Sequence, residues 1–170
     1  MRMVAGLLLS VLLVGGAEAQ QSQLEVDSTL VRVGRAYLET VYRFDFVAQR
    51  AFYTDESVFE DPSAAIFGQP YYSEGGDAIV GFFRGTLPET ELTVRVEIQD
   101  AFIVGDRVHF YVHYHNTGDA TPFGYPGERV TVVAKGFTIL HIVGEKVLHH
   151  LDYIDYPGMF RQAREQVEGR

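Results

Sequence analysis

The chain has 170 residues and a mass of 19.1 kDa, room for one domain with a full hydrophobic core. Hydrophobic residues at 46% and charged residues at 22% argue against disorder, while 23 acidic against 14 basic residues, a net charge of -9, disfavour nucleic acid and anionic membrane surfaces as partners. Cysteine is absent, which excludes disulfides, thiolate catalysis and cysteine-held zinc or iron–sulfur centres.

Residues 1–19 read as an export leader. Arg2 supplies the positive start, an apolar run follows from Leu7 to Val14, and Ala17-Glu18-Ala19 is a small-x-small cleavage pattern. The apolar run is too short to span a bilayer, so no membrane association is expected once the leader is cut. Asn116, the only asparagine, lies in Asn116-Thr117-Gly118, which is no glycosylation sequon. With the absence of cysteine, this fits a secreted or periplasmic bacterial protein. Residues 20–170 then form a single domain.

From Ser28 onward Leu30, Gly34, Tyr37, Leu38 and Val41 follow the spacing of one helix face, with Arg32, Arg35, Glu39 and Arg43 opposite. Asp27 or Ser28 serves as its cap, and Asp45 caps a second, short helix through Phe52. Ser57–Glu60 reads as a short strand stopped by Asp61-Pro62. A third helix runs from Ala78 to about Gly85, with Ile79, Phe82 and Phe83 on its apolar side. Then the period changes to two. Leu92, Val94, Val96 and Ile98 alternate with polar residues, and Gly105-Asp106 turns into a strand over 108–115. A Gly/Pro-rich loop spans 116–128. Strands over 129–143 and 146–156 flank the Gly144-Glu145 turn, and a short amphipathic tail closes the chain. Helices followed by hairpin-connected strands predict an α+β domain, its helices packed on a strongly curved antiparallel sheet that forms a cone with an internal pocket.

Four stretches in this order resemble the SnoaL-like polyketide cyclases and limonene-epoxide-hydrolase relatives of the nuclear-transport-factor-2-like superfamily. They are Phe52-Tyr53-Thr54-Asp55-Glu56-Ser57-Val58-Phe59-Glu60-Asp61-Pro62, Gly75–Phe83, Gly124-Tyr125-Pro126-Gly127-Glu128-Arg129-Val130 and Gly144–Asp155. The resemblance covers nearly all of residues 20–170. It implies the cone fold, a small apolar or aromatic ligand, a homodimer, and no cofactor. The superfamily includes both enzymes and binding modules without chemistry, so activity has to be read from the residues inside the cone.

Strand alternation sorts those residues. His109, Tyr111, His113 and His115 share one face of their strand, and Val108, Phe110, Val112 and Tyr114 the other. Leu148, His150, Asp152 and Ile154 share a face of the last strand. The resemblance places Asp152 inside the cone, with His150 beside it. It also aligns His113 and His115 with the Arg-x-Asp positions of the epoxide hydrolases, a departure that argues against their mechanism. The expected chemistry is acid–base catalysis of the cyclase, isomerase or dehydratase kind. Asp152, His113 and His115 would be its catalytic groups, and Tyr111, His150, Tyr42, Phe59 and Phe83 its substrate-binding residues. Two rivals stand beside it. One is a non-catalytic ligand-binding or dimerising module, in which the histidines are structural, Tyr37 and Tyr42 are packed core residues and Asp152 braces a loop. The other is a metal site built from His113 and His115, completed by His150 and Asp152. Asp155 is expected to anchor the Tyr156-Pro157-Gly158 turn, and Asp61 to be a turn residue near the cone's mouth.

Overall fold

The computed structural model describes residues 29–86 and 92–169. The leader read in 1–19, the start of the domain at 20 and the caps expected at Asp27 or Ser28 lie outside these. Helix α1 covers 29–42 and α2 Phe46–Arg50, whose Asp45 cap accepts from the Ala48 amide. Strand β1 (Val58–Asp61) leads through a 3-10 turn (Pro62–Phe67) to β2 (Tyr71–Glu74) and α3 (Gly76–Thr86). Four longer strands follow: β3 (Thr93–Val104), β4 (Arg107–Asp119), β5 (Arg129–Val143) and β6 (Lys146–Ile154). Helix α4 (Tyr156–Glu168) completes the order. No described helix is long and apolar enough to cross a membrane.

The strands form one sheet in the order β2-β1-β6-β5-β4-β3. All its pairs are antiparallel except β1 with β6, so the sheet is mixed. Short β1, read from Ser57–Glu60, enters beside the last strand, and β2 pairs with it from a segment that carries no strand pattern. Bulges interrupt the register between Ile98 and Asp100 and between His141 and Ile142, which adds the local bend that a curved sheet needs.

Alternation decides which face is buried. Val108, Phe110 and Val112 on β4, Val132 and Leu140 on β5, and Val147 on β6 point to one side and are buried. On β6 the bulge puts Val147, not Leu148, on this side, because one extra residue reverses the alternation beyond it. Helix α1 covers the face with Val33, Tyr37 and Leu38, spaced as one helix stripe. Gly34 lets α1 approach closely, since a Cβ there would sit 2.7 Å from the Phe110 ring.

The C-terminal tail is a full helix. Asp155 accepts from the Gly158 amide at 2.9 Å and caps α4, with Pro157 in its first turn. Beyond the end of β6, α4 takes over the open edge of β5. Gln162 and Gln166 each bond both the backbone amide and the carbonyl of one β5 residue, Val133 and Thr131 respectively. Replacing Asp155 by Ala removes the cap and is expected to cost about 1 kcal/mol. A urea denaturation midpoint equal to that of the parent protein would contradict it.

Candidate functional site

The sheet register brings the polar residues of the inner face together. Phe110 pairs with Thr138, Thr138 with Asp152, and Leu140 with His150. Directly paired residues point to the same face, so Thr138, His150 and Asp152 all face the helices. In the parallel pair Phe59 lies opposite His150, and the next inward residue of β1 is Asp61.

Asp152 is the centre of the site. Its Oδ1 accepts from the Thr138 hydroxyl at 2.5 Å and lies 3.0 Å from His150 Nε2. The His150 approach is off the N–H axis, so this contact is electrostatic rather than a well-formed hydrogen bond. Among the described residues no side chain donates to Oδ2. Behind Thr138 the Tyr114 hydroxyl stands 2.8 Å from Thr138 Oγ1, and Tyr42 donates to Tyr114 at 3.1 Å. Behind His150, Tyr37 Oη lies 2.7 Å from Nδ1 and 2.5 Å from Tyr53 Oη, and Gln49 Nε2 donates to Tyr53 at 3.1 Å. Two lines of hydroxyls thus converge on one carboxylate.

The surroundings keep the phenols protonated. Burial, then the neighbouring Tyr53 and the charge of Asp152, hold the Tyr37 hydroxyl well above its ordinary pKa. Burial and Asp152 do the same for Tyr114, and burial with the adjacent Tyr114 for Tyr42. These phenols therefore act as hydrogen-bond donors near neutral pH. The His150 ring is 2% exposed, meets Phe59 edge-on and stacks on Phe83.

Asp152 and His150 open on a pocket of about 190 Å³, walled by Tyr42, Phe83, Tyr114, Ile154 and Met159 among others. Since a cavity of about 150 Å³ holds a benzene-sized molecule, the space suits a single small ring or a short chain. A larger cleft of about 460 Å³ opens between α1 and the edge strand β3, lined by Arg35, Arg43, Arg95 and Val96. It contains Tyr42 but no other member of the Asp152 network, so the smaller pocket holds the candidate chemistry.

A second carboxylate stands behind the pocket wall. Asp61 accepts from Tyr156 at 2.6 Å, from the Ala64 amide at 3.2 Å and from the Ser63 hydroxyl. It both caps the 3-10 turn and braces Tyr156, which lines the pocket. Burial raises its pKa, with a smaller push from the charge of Asp152, against the lowering effect of its hydrogen bonds. The folded state therefore binds this proton more tightly than the unfolded state. Asp61 then subtracts stability as pH rises from its unfolded value through its folded one. Asp61→Asn, which cannot ionise, should gain stability relative to the parent protein as pH is raised from 3 to 7. Chemical denaturation across that range checks this, and a difference that stays flat or falls would refute it.

His113, His115 and Tyr111 are not in the pocket. They share a face with Phe137, Lys135 and Tyr153, on the side of the sheet away from the helices. His115 Nε2 lies 3.3 Å from Glu97, and Tyr111 packs between His113 and Phe137. The expected catalytic partnership of Asp152 with His113 and His115 is therefore corrected: Val112 and Tyr114 carry the inward parity on β4, and the imidazole that meets Asp152 is His150. The same geometry removes the four-residue metal site, because His113 and His115 lie across the sheet from His150 and Asp152. Of the expected substrate-binding residues, His150, Tyr42 and Phe83 line the pocket. Phe59 sits one layer back, 2% exposed, between Phe82, Phe83 and His150.

Sequence reasoning misses Tyr114, Thr138, Tyr53 and Gln49 as members of the site. Tyr114 is visible only as the polar end of an otherwise apolar strand face. A lone Thr at an apolar-parity position of β5 is the one signal for Thr138, and Gln49 on a five-residue helix carries none.

A cone-shaped α+β sheet with an acid and an imidazole on its inner face defines the class, and comparison with known proteins names it. The SnoaL-like domain matches residues 34–150, and the chain belongs to that family. A protein described as a SnoaL-like polyketide cyclase, from Shewanella putrefaciens CN-32, is 24% identical, covers 79% of this chain and 95% of its own, and superposes with a TM-score of 0.70. A second, from Shewanella denitrificans OS-217, is 22% identical over 81% of this chain and 98% of its own, with a TM-score of 0.71. An epoxide hydrolase of the limonene-epoxide-hydrolase-like kind from M. tuberculosis is 17% identical over 85% and 98%, with a TM-score of 0.62. At these identities the likeness shows the shared fold. No match to this chain was found among curated proteins.

Proposed function

We propose that this SnoaL-like protein is an exported, cofactor-free acid–base catalyst acting on a small, mostly apolar carbonyl compound, with Asp152 as the proton-transferring group. The observation that carries the reading is the asymmetry of the Asp152 carboxylate. Oδ1 is held by Thr138 and His150, whereas Oδ2 receives no hydrogen bond from any described side chain and belongs to a residue that lines the pocket. A carboxylate fixed through one oxygen offers the other as an oriented base. It would take a proton from the carbon beside the carbonyl, leaving the electron pair as an enolate, and later return it. The reactions this serves are cyclisation, isomerisation and dehydration. The apolar ring walls limit water access to the transfer.

The test begins with a panel of ring-sized ketones and enones, selected for binding by thermal shift. Each ligand is then incubated in deuterated water with and without protein. Protein-dependent incorporation of deuterium beside the carbonyl supports the proposal. Ligands that bind in the pocket but exchange no faster than in buffer indicate the non-catalytic binding module instead. For export, mass spectrometry of the protein recovered from a bacterial periplasm should show a chain beginning at Gln20; an intact residue 1 would count against it.

A further inference from the structure

We propose that Gln49 controls the protonation of His150 through a reversible chain of two phenols. This deepens the acid–base reading of the same site, and its test reads the imidazole rather than turnover. Four consecutive polar side chains, Gln49, Tyr53, Tyr37 and His150, are each at most 2% exposed. Their bonds form an unbranched line that ends on His150, whose Nε2 lies 3.0 Å from Asp152 Oδ1.

Such a line has only two polarities. With Gln49 Nε2 donating to Tyr53, the Tyr53 hydrogen points to Tyr37 and the Tyr37 hydrogen to His150 Nδ1. Nδ1 is then an acceptor, so the single imidazole proton sits on Nε2, against the Asp152 carboxylate. A neutral ring with its lone pair on Nε2 would face that carboxylate unfavourably. In the other polarity Nδ1 carries a hydrogen and donates to Tyr37, Tyr37 donates to Tyr53, and Tyr53 needs an acceptor at the far end. Gln49 Oε1 is that acceptor. It is completely buried and has no partner in the first polarity. A buried carbonyl oxygen left without a donor is disfavoured and calls for an explanation. Turning the amide over supplies one: Gln49 holds a donor for neutral His150 and an acceptor for the imidazolium.

The switch makes and breaks no covalent bond in the chain. When His150 gains a proton and both ring nitrogens carry hydrogen, the two phenol hydrogens swing to their other neighbour and the amide inverts. The groups that face the ring are Tyr37 at Nδ1, Asp152 at Nε2, and the Phe59 and Phe83 rings. His149, the adjacent titratable residue, points to the opposite face near Glu60 and Arg107. No other described side chain supplies a hydrogen bond to Nδ1, so the polarity of the line determines what that atom sees.

Long-range proton–nitrogen NMR of the ring nitrogens at pH 8 tests this, with His150 assigned by the signal lost in His150→Gln. The parent protein is expected to carry its proton on Nε2 alone. Gln49→Glu, which accepts and cannot donate once its carboxyl is ionised, should in that form enforce the reversed polarity and give a doubly protonated ring at the same pH. Gln49→Met should keep the parent pattern, and adding Tyr53→Phe to Gln49→Glu should restore it by cutting the line. A Gln49→Glu spectrum equal to the parent's overturns the proposal. So does a parent ring protonated on Nδ1, a result that stands even where the Glu variant does not fold. Deuterium exchange with an unresponsive imidazole sinks this inference alone, while the expected spectra without exchange sink only the catalytic reading.

Discussion

Asp152→Asn is expected to lower deuterium exchange on a bound carbonyl ligand by about 10²- to 10⁴-fold, the usual contribution of a positioned general base. The substitution nearly preserves shape. The Asn carbonyl oxygen can still accept from Thr138 and remain beside His150 Nε2, so both hydroxyl lines keep their end point. What is lost is the second, unbonded basic oxygen, because an amide nitrogen has no lone pair for a proton. Ligand binding should change far less than turnover, since Phe83, Ile154 and Met159 supply the apolar walls unaltered. Measuring the exchange rate and the dissociation constant of the same ligand separates the two. A variant that exchanges as fast as the parent would show that Asp152 is not the base.

The largest stability loss is expected from Gly136→Ala. Gly136 sits on the buried face of β5 opposite Ile154, two residues from Thr138. A Cβ added there would collide with the Tyr153 carbonyl oxygen and lie 3.1 Å from the Ile154 Cα, both backbone atoms. No rotamer change relieves such an overlap. Strand β6 must move away from β5 at the place where their register delivers Asp152 to Thr138. Overpacking of this kind costs about 3 kcal/mol, which for a domain of this size lowers the melting temperature by roughly 10 °C. Calorimetry checks the value, and a melting temperature within a degree of the parent's would mean that the strand pair accommodates a methyl group freely. By contrast, Gly81 and Gly85 on α3 have open space where a methyl group would project, and Ala at either should be tolerated.

These effects meet at positions of unequal legibility. The α1 stripe Val33, Tyr37 and Leu38 and the long alternation of β5 are periodic enough to be read directly, and they are buried as the period requires. Asp45 and Asp155 announce their helices by cap chemistry that acts within three residues. Strand β2 is hidden from such a reading because four residues next to an irregular turn carry too little alternation to register. The last helix reads only as an amphipathic tail, although its glutamines seal the β5 edge beyond β6.

The candidate site divides in the same way. That His113 and His115 share a face follows from period two within one strand. Which side of the sheet that face occupies depends on pairing with β5, and there the inward positions are Val112 and Tyr114. Similarly, the bulge beside Ile142 changes the parity of β6 between Val147 and His150, a shift that no alternation pattern in β6 reports.

Sequence alone suffices for most of the local elements, for the family, and for Asp152 with His150 as a pair separated by one residue and so on one strand face. Each of these rests on short-range periodicity or on an ordered set of motifs. Three features come only from the folded arrangement: the parallel placement of β1 that brings Phe59 and Asp61 to β6, the choice of His150 over His113 and His115, and the Gln49–Tyr53–Tyr37 line behind the ring. The physical reason is that hydrogen-bond register and helix docking are set between segments as much as 113 residues apart, as between Tyr37 and His150, where local propensity has no reach.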